Sequence, residues 1–250
     1  MMGFVAGTLV HTDKGLVPIE QLKVGDMVLS RPENDPNAPS EYKRVLKTFK
    51  SEEKKRITYV KFLVVENNVP TGYRYLFCTE DHPFWTMAYE DYQDKESIHQ
   101  LGWQPASELS AHESHKLETY NNENVYVYPI DEKKRLLASE NFEIALTLSS
   151  SNGEINGCID FREDKPTSII QEKGSFSSIL HGKDFLDESE PILDLSHLPD
   201  DDAEIIELTL LIEEARCADI PYMATVYNIE VEDFHTYYVG KSGILVAAQK

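Results

Sequence analysis

The chain has 250 residues, a hydrophobic content of 41% and a formal charge of −20. That length suits one large domain, or one domain with an insertion, with apolar residues enough for a buried core. So acidic a balance opposes attraction to nucleic-acid phosphates, which needs clustered Lys and Arg, and favours solubility or a basic partner. No apolar run is long enough to cross a bilayer as a helix, and Met1-Met2-Gly3 carries neither a basic nor a long apolar stretch, so neither a membrane span nor an export signal is expected here.

Thirteen Tyr alongside many Val, Ile and Thr favour strands over helices. Residues 3–31 read as short strands joined by turns: Asp13-Lys14-Gly15 breaks Thr8-Leu9-Val10 from Leu16-Val17-Pro18-Ile19, and Val24-Gly25-Asp26 precedes a strand at 27–30. Pro32, Pro36 and Pro39 exclude regular structure from the polar stretch 31–40. Residues 44–49, 57–66 and 73–78 alternate or run apolar, as half-buried strands do. The last of these ends at Thr79-Glu80-Asp81-His82-Pro83-Phe84-Trp85, and Gly102-Trp103-Gln104-Pro105-Ala106 opens the next structured unit. Cys78, Cys158 and Cys217 are widely spaced and odd in number; they form no metal pattern and read as buried free thiols.

Between 184 and 214 lie twelve acidic residues and no Lys or Arg. Within it, residues 203–215 have an apolar period that fits a helix or a strand equally.

Two end segments carry the functional signal. One is Gly3-Phe4-Val5-Ala6-Gly7-Thr8-Leu9-Val10-His11-Thr12. The other is Val226-Tyr227-Asn228-Ile229-Glu230-Val231, Asp233-Phe234-His235-Thr236-Tyr237-Tyr238-Val239-Gly240, then Gly243-Ile244-Leu245-Val246-Ala247-Ala248. Both resemble the boundary motifs of Hint domains, the self-cleaving fold shared by inteins and hedgehog-type proteins, and most closely the pretoxin-Hint branch of bacterial polymorphic toxins. The resemblance is dense over 3–117 and 222–248, with 118–221 read as an insertion of mixed, acidic character. It implies an all-β, horseshoe-shaped fold whose first and last strands lie side by side.

Cutting a peptide bond without water or a protease needs a nucleophile directly after that bond, and a thiol serves well. The family has Cys where this chain has Gly3, which has no side chain. A histidine suits polarisation of the amide and protonation of the departing nitrogen. Thr79-Glu80-Asp81-His82 matches the family's Thr-x-x-His motif, which implies that His82 contacts the scissile amide nitrogen and Thr79 orients it. An isolated Thr-x-x-His occurs often by chance, and a lone His is more often structural; the flanking Pro83-Phe84-Trp85, Gly102-Trp103 and Ala106 make the match specific. His235 resembles the histidine that assists at the downstream junction, with a structural role about as well supported. Asn228 stands where many inteins have Asp. Release at the far end needs an Asn that cyclises onto its own carbonyl and a preceding His that draws off charge; Ala247 and Ala248 occupy those two positions. Gln249 lacks a preceding His and cyclises more slowly.

The resemblance therefore implies an autoprocessing domain that acts in cis on its flanking polypeptide, with a C-terminal toxin of a secreted bacterial protein as the usual cargo, and with no metal or organic cofactor. In this chain the nucleophile and the cyclising pair are replaced. Deliberate replacement accounts for this better than natural decay, because decay should also erode the intact flanking motif at 238–246. The acidic middle has the wrong sign of charge for a homing endonuclease, and no lipid-binding region follows for a sterol-transferring hedgehog domain. The alternative is a non-catalytic module whose acidic insert docks a toxin, immunity or secretion partner.

Overall fold

The computed structural model describes residues 1–35, 38–66, 69–87, 102–109, 116–121, 123–127, 136–138, 144–148, 155–161, 168–170 and 220–250. Among these the regular structure is β, apart from one 3-10 turn at Ile19–Gln21. The acidic stretch 184–214 and the ambiguous segment 203–215 lie outside the described residues.

The expected hairpins form. Strand β2 (Leu9–Thr12) pairs with β3 (Gly15–Pro18), and Gly15 takes the positive φ of +100° that the tight turn requires. Strand β4 (Met27–Ser30) pairs with β5 (Glu41–Lys50), across the proline-bearing stretch. Strands β6 (Lys55–Glu66) and β7 (Val69–Thr79) form a long hairpin with a register shift between Val64 and Val65.

The long hairpin is buried on both faces, and side-chain alternation explains how. Thr58 apart, the even positions Val60, Phe62 and Val64, with Leu76 and Cys78, enter the principal core. The odd positions Ile57 and Tyr59, with Tyr75 and Phe77, enter a second core. A separate four-stranded sheet closes that second core. It comprises β12 (Leu136–Ala138), β13 (Ile144–Leu148), β14 (Ile155–Asp160) and β15 (Ser168–Ile170), in sequence order. Phe161 joins the layers: its ring stacks on Tyr222 at 4.5 Å and meets Phe77 edge-on at 5.7 Å. Cys78 is buried and not in a disulfide.

The main body extends past Leu117. Strand β10 (Lys116–Leu117) pairs with β8 (Pro83–Met87), and β11 (Asn124–Val127) pairs with β6 over four residues. Thr119 bridges to Ile244, and the amide of Leu245 donates to Glu118 O at 2.9 Å. Thr119 and Asn124–Val127 thus pair within the principal sheet. Arg31 and Glu118 form a buried ion pair that fixes this segment to the chain's first third.

The terminal strands are not side by side. Strand β1 (Phe4–Val5) lies between β7 and β17 (Val226–Val231). Strand β19 (Ile244–Ala247) lies between β18 (Thr236–Val239) and β8. With only two residues, β1 has both edges filled by these partners. Its alternation sends Phe4 into the principal core and Val5 into the second. The two ends meet by another route, through β17.

Candidate functional site

The Met2–Gly3 peptide bond enters the sheet just before β1, and protein groups hold it on both sides. On the nitrogen side, Gly3 N donates to Thr79 Oγ1 at 3.1 Å, and Thr79 N donates back to Gly3 O at 2.9 Å. On the carbonyl side, Asn228 Nδ2 donates to Met2 O at 3.1 Å. Asn228 is itself held by two donors on Oδ1, the amide of Ile229 at 2.8 Å and the phenol of Tyr237 at 2.9 Å. Thr79 and Asn228 are both buried.

Thr79 reaches this place because it ends β7 opposite Ile57, beside the short β1. The turn that follows is pinned by the next unit of the sequence motif. His82 N donates to Thr79 O at 3.1 Å, Ala106 N donates to His82 O at 2.9 Å, and Ser107 N donates to Glu80 O at 3.0 Å. Strand β8 then pairs with β9 (Gly102–Pro105), setting Trp85 opposite Trp103 with rings 5.0 Å apart. The motif's spacing is therefore the spacing of one turn and the hairpin that braces it.

His82 is fully buried, and neither ring nitrogen has a hydrogen-bond partner. Its ring lies 4.2 Å from that of Phe4, the residue after Gly3, and 5.9 Å from that of Phe84. Desolvation lowers its pKa to about 3, so the imidazole is neutral at physiological pH. The nitrogen of Gly3 is occupied by Thr79, while His82 sits one residue further along, against Phe4. A buried polar group without partners costs about 1–3 kcal/mol. Such a group is uncommon in a side chain kept only for packing.

Gly3 has a backbone role as well as a missing side chain. A Cβ there would lie 2.5 Å from Tyr227 O and 3.2 Å from Val226 Cβ. The absent side chain lets β1 approach β17 closely, and a thiol-bearing residue would need that backbone to shift.

The segment around Ala247 and Ala248 meets the same strand one residue along. Gln249 N donates to Ile229 O at 2.9 Å, and Ala248 N donates to His235 O at 2.9 Å. Ala247 pairs with Thr236 at the end of β19, and both alanines are buried. His235 sits in a tight turn at φ +56°, after Asp233 at φ +61°. These are left-handed conformations that non-glycine residues adopt at a cost. The Nδ1 of His235 and the Oε1 of Gln249 are buried without hydrogen-bond partners. Of the six positions singled out in the sequence, Gly3 and Thr79 touch directly, as do His235 and Ala248 through their backbones. His82 joins the first group through Phe4. Asn228 and Ile229 link the two groups.

Sequence reasoning noted Asn228 but gave it no task, and it passed over Tyr237. Tyr237 reads as one more aromatic in a core strand, and nothing in its spacing marks the phenol as a partner of a residue nine positions earlier.

No protein-family model matches the chain, and no curated protein matches it. Among solved structures, it is similar to the bacterial intein-like domain from Clostridium thermocellum, at TM-score 0.45 and 18% identity over 99% of each chain. It is also similar to a DnaB intein from Synechocystis, at TM-score 0.44 and 11% identity over 100% of each chain. A third is the gp41-1 intein, at TM-score 0.34 and 14% identity, with 99% of this chain and 98% of that one covered. Likeness at this level carries no weight for the chemistry, which has to be read from the two junctions themselves.

Proposed function

We propose that this chain is an autoprocessing domain of the Hint type, of the pretoxin branch, in a form disabled at both cleavage points. The observation that carries the reading is the grip on the Met2–Gly3 bond. Side chains from two strands far apart in sequence hold its nitrogen and its carbonyl, and the neighbouring backbone holds the amide of Gln249.

With a Cys in place of Gly3, the thiol sulfur would attack the Met2 carbonyl carbon. The C–N bond would break, the thiol proton would pass to the freed nitrogen, and a thioester would remain. Thr79 Oγ1 sits at that nitrogen, and the imidazole of His82, packed against Phe4, is the acid–base group we assign to it. With an Asn in place of Ala248, the side-chain nitrogen would attack that residue's own carbonyl. A succinimide would form and the nitrogen of Gln249 would leave as an amine. A His in place of Ala247 would donate a hydrogen bond to the carbonyl under attack. The cargo we assign is a flanking polypeptide, C-terminal toxin segments being the family's usual one. Gln249 is a poor splicing nucleophile, which favours cleavage over ligation.

The double variant Ala247→His with Ala248→Asn, carrying a marker protein after Lys250, tests the downstream half alone and leaves Gly3 in place. The expected product ends at position 248 and is one water lighter than a hydrolysed fragment, by intact mass spectrometry. A folded variant that stays whole contradicts cyclisation at this junction.

A second reading, a non-catalytic module, draws on the close approach at Gly3, since glycine here satisfies packing without any lost chemistry. It predicts that the restored junctions stay uncut.

A further inference from the structure

We propose that Asn228 Nδ2 is the donor that polarises the Met2 carbonyl, and that Tyr237 is a positioning residue that fixes which way this amide points. The chemical meaning rests on the autoprocessing reading; the geometry does not.

The oxygen and nitrogen of an Asn amide have nearly the same shape, so their places must follow from their neighbours. Here three neighbours decide. The backbone N–H of Ile229, 2.8 Å from Oδ1, can only donate. The Met2 carbonyl, 3.1 Å from Nδ2, can only accept. The Tyr237 phenol, 2.9 Å from Oδ1, is fully buried, and desolvation holds its pKa well above the ordinary value, so it keeps its proton and donates. Turning the amide over would set the Ile229 N–H against Nδ2 and the Met2 carbonyl oxygen against Oδ1, and would cost the bond that Tyr237 now donates. All three neighbours are satisfied in one orientation, with an N–H aimed at the Met2 carbonyl.

That orientation has a chemical consequence. When a nucleophile adds to a carbonyl, negative charge grows on its oxygen, and a fixed donor already pointing there stabilises it without reorganisation. A carboxylate at position 228 would still accept from Tyr237 and Ile229, but would turn a lone pair toward the Met2 oxygen. Asn228→Asp therefore preserves shape and reverses the electrostatics, whereas Tyr237→Phe removes only the hydroxyl that anchors the amide.

Met2–Gly3 is the one Met–Gly pair in the sequence. Labelling Met carbonyls with carbon-13 and Gly amides with nitrogen-15 thus gives a single correlated NMR signal for this bond, in the chain as it stands. We expect the Met2 carbonyl resonance to move upfield in Asn228→Ala and Asn228→Asp, as hydrogen bonding is lost, and by less in Tyr237→Phe. In the Gly3→Cys background, with a marker protein ahead of Met1, thiol-induced cleavage at this bond should slow about 100-fold in Asn228→Ala. It should slow about fivefold in Tyr237→Phe. A carbonyl resonance that stays put in all three folded variants overturns the proposal, whatever the cleavage does. A resonance that moves while the Gly3→Cys chain stays whole upholds the donor and removes the autoprocessing reading instead.

Discussion

At the scale of single residues, Gly3 and His82 make opposite demands on stability. Gly3 is well fitted where it stands, because the Tyr227 carbonyl oxygen occupies the space of a side chain. Gly3→Ala should destabilise the protein by about 1–3 kcal/mol, the usual cost of forcing atoms into a filled place. A thermal melt that leaves the midpoint unchanged would mean that β1 yields freely. His82 is poorly fitted, with two buried nitrogens that have no partner. His82→Leu should raise stability by about 1–3 kcal/mol, since it removes unsatisfied polar atoms at similar volume. A loss of stability would assign the imidazole a structural role. The pH dependence follows from the same burial. The folded pKa, about 3, lies below the unfolded value of 6.5. Between those values the unfolded chain takes up a proton at His82 and the folded chain does not. This group therefore costs stability as pH falls from about 6.5 toward 3, by about 1.4 kcal/mol per pH unit. Denaturant midpoints of the parent should fall more steeply over that range than those of His82→Leu.

At the scale of elements, strand β17 does the joining. It pairs with β1 on one side and β5 on the other, and residues 228 and 229 bond to Met2 and Gln249. The sequence announced the strands well. The Asp13-Lys14-Gly15 turn, the runs at 57–66 and 73–78, and the blocks Thr79 to Trp85 and Gly102 to Ala106 all correspond to observed elements, because alternation and turn residues are local properties. What it did not announce was pairing. Nothing local says that β1 has β7 and β17 as neighbours instead of β19, or that Thr119 and Asn124–Val127 pair within the main sheet. The second core was equally hidden: Tyr59, Tyr75 and Phe77 look like the outer face of a hairpin until the small sheet covers them. Phe161 sits at the centre of that contact. Phe161→Ala should cost about 3–5 kcal/mol, and amide exchange should speed up in strands β12 to β15 before it does in β17. Uniform exchange across both sheets would show instead that the two cores unfold as one.

At the scale of the whole molecule, the chain's ends are tied inward. The first residues lie between two strands, the last pair with β8, and the buried Arg31–Glu118 ion pair locks the segment after β10 to the same body. Removing one partner of a buried pair leaves a desolvated charge, so Glu118→Ala should cost about 3 kcal/mol or more, read from denaturant unfolding. A neutral outcome would mean that solvent reaches Arg31 once Glu118 is gone. This tethering supports the proposed function, because Met2 and Gln249, far apart in sequence, are held by adjacent residues of one strand.

The most direct test restores all three groups. A chain with Gly3→Cys, Ala247→His and Ala248→Asn, set between two small marker proteins, is followed over time by intact mass spectrometry, with folding checked by amide NMR. Breaks before position 3 and after position 248 are expected, the released domain of residues 3–248 ending in a succinimide; a joined marker pair would add splicing. A single uncut mass from the folded triple variant contradicts autoprocessing and leaves a Hint-like domain that binds without cutting.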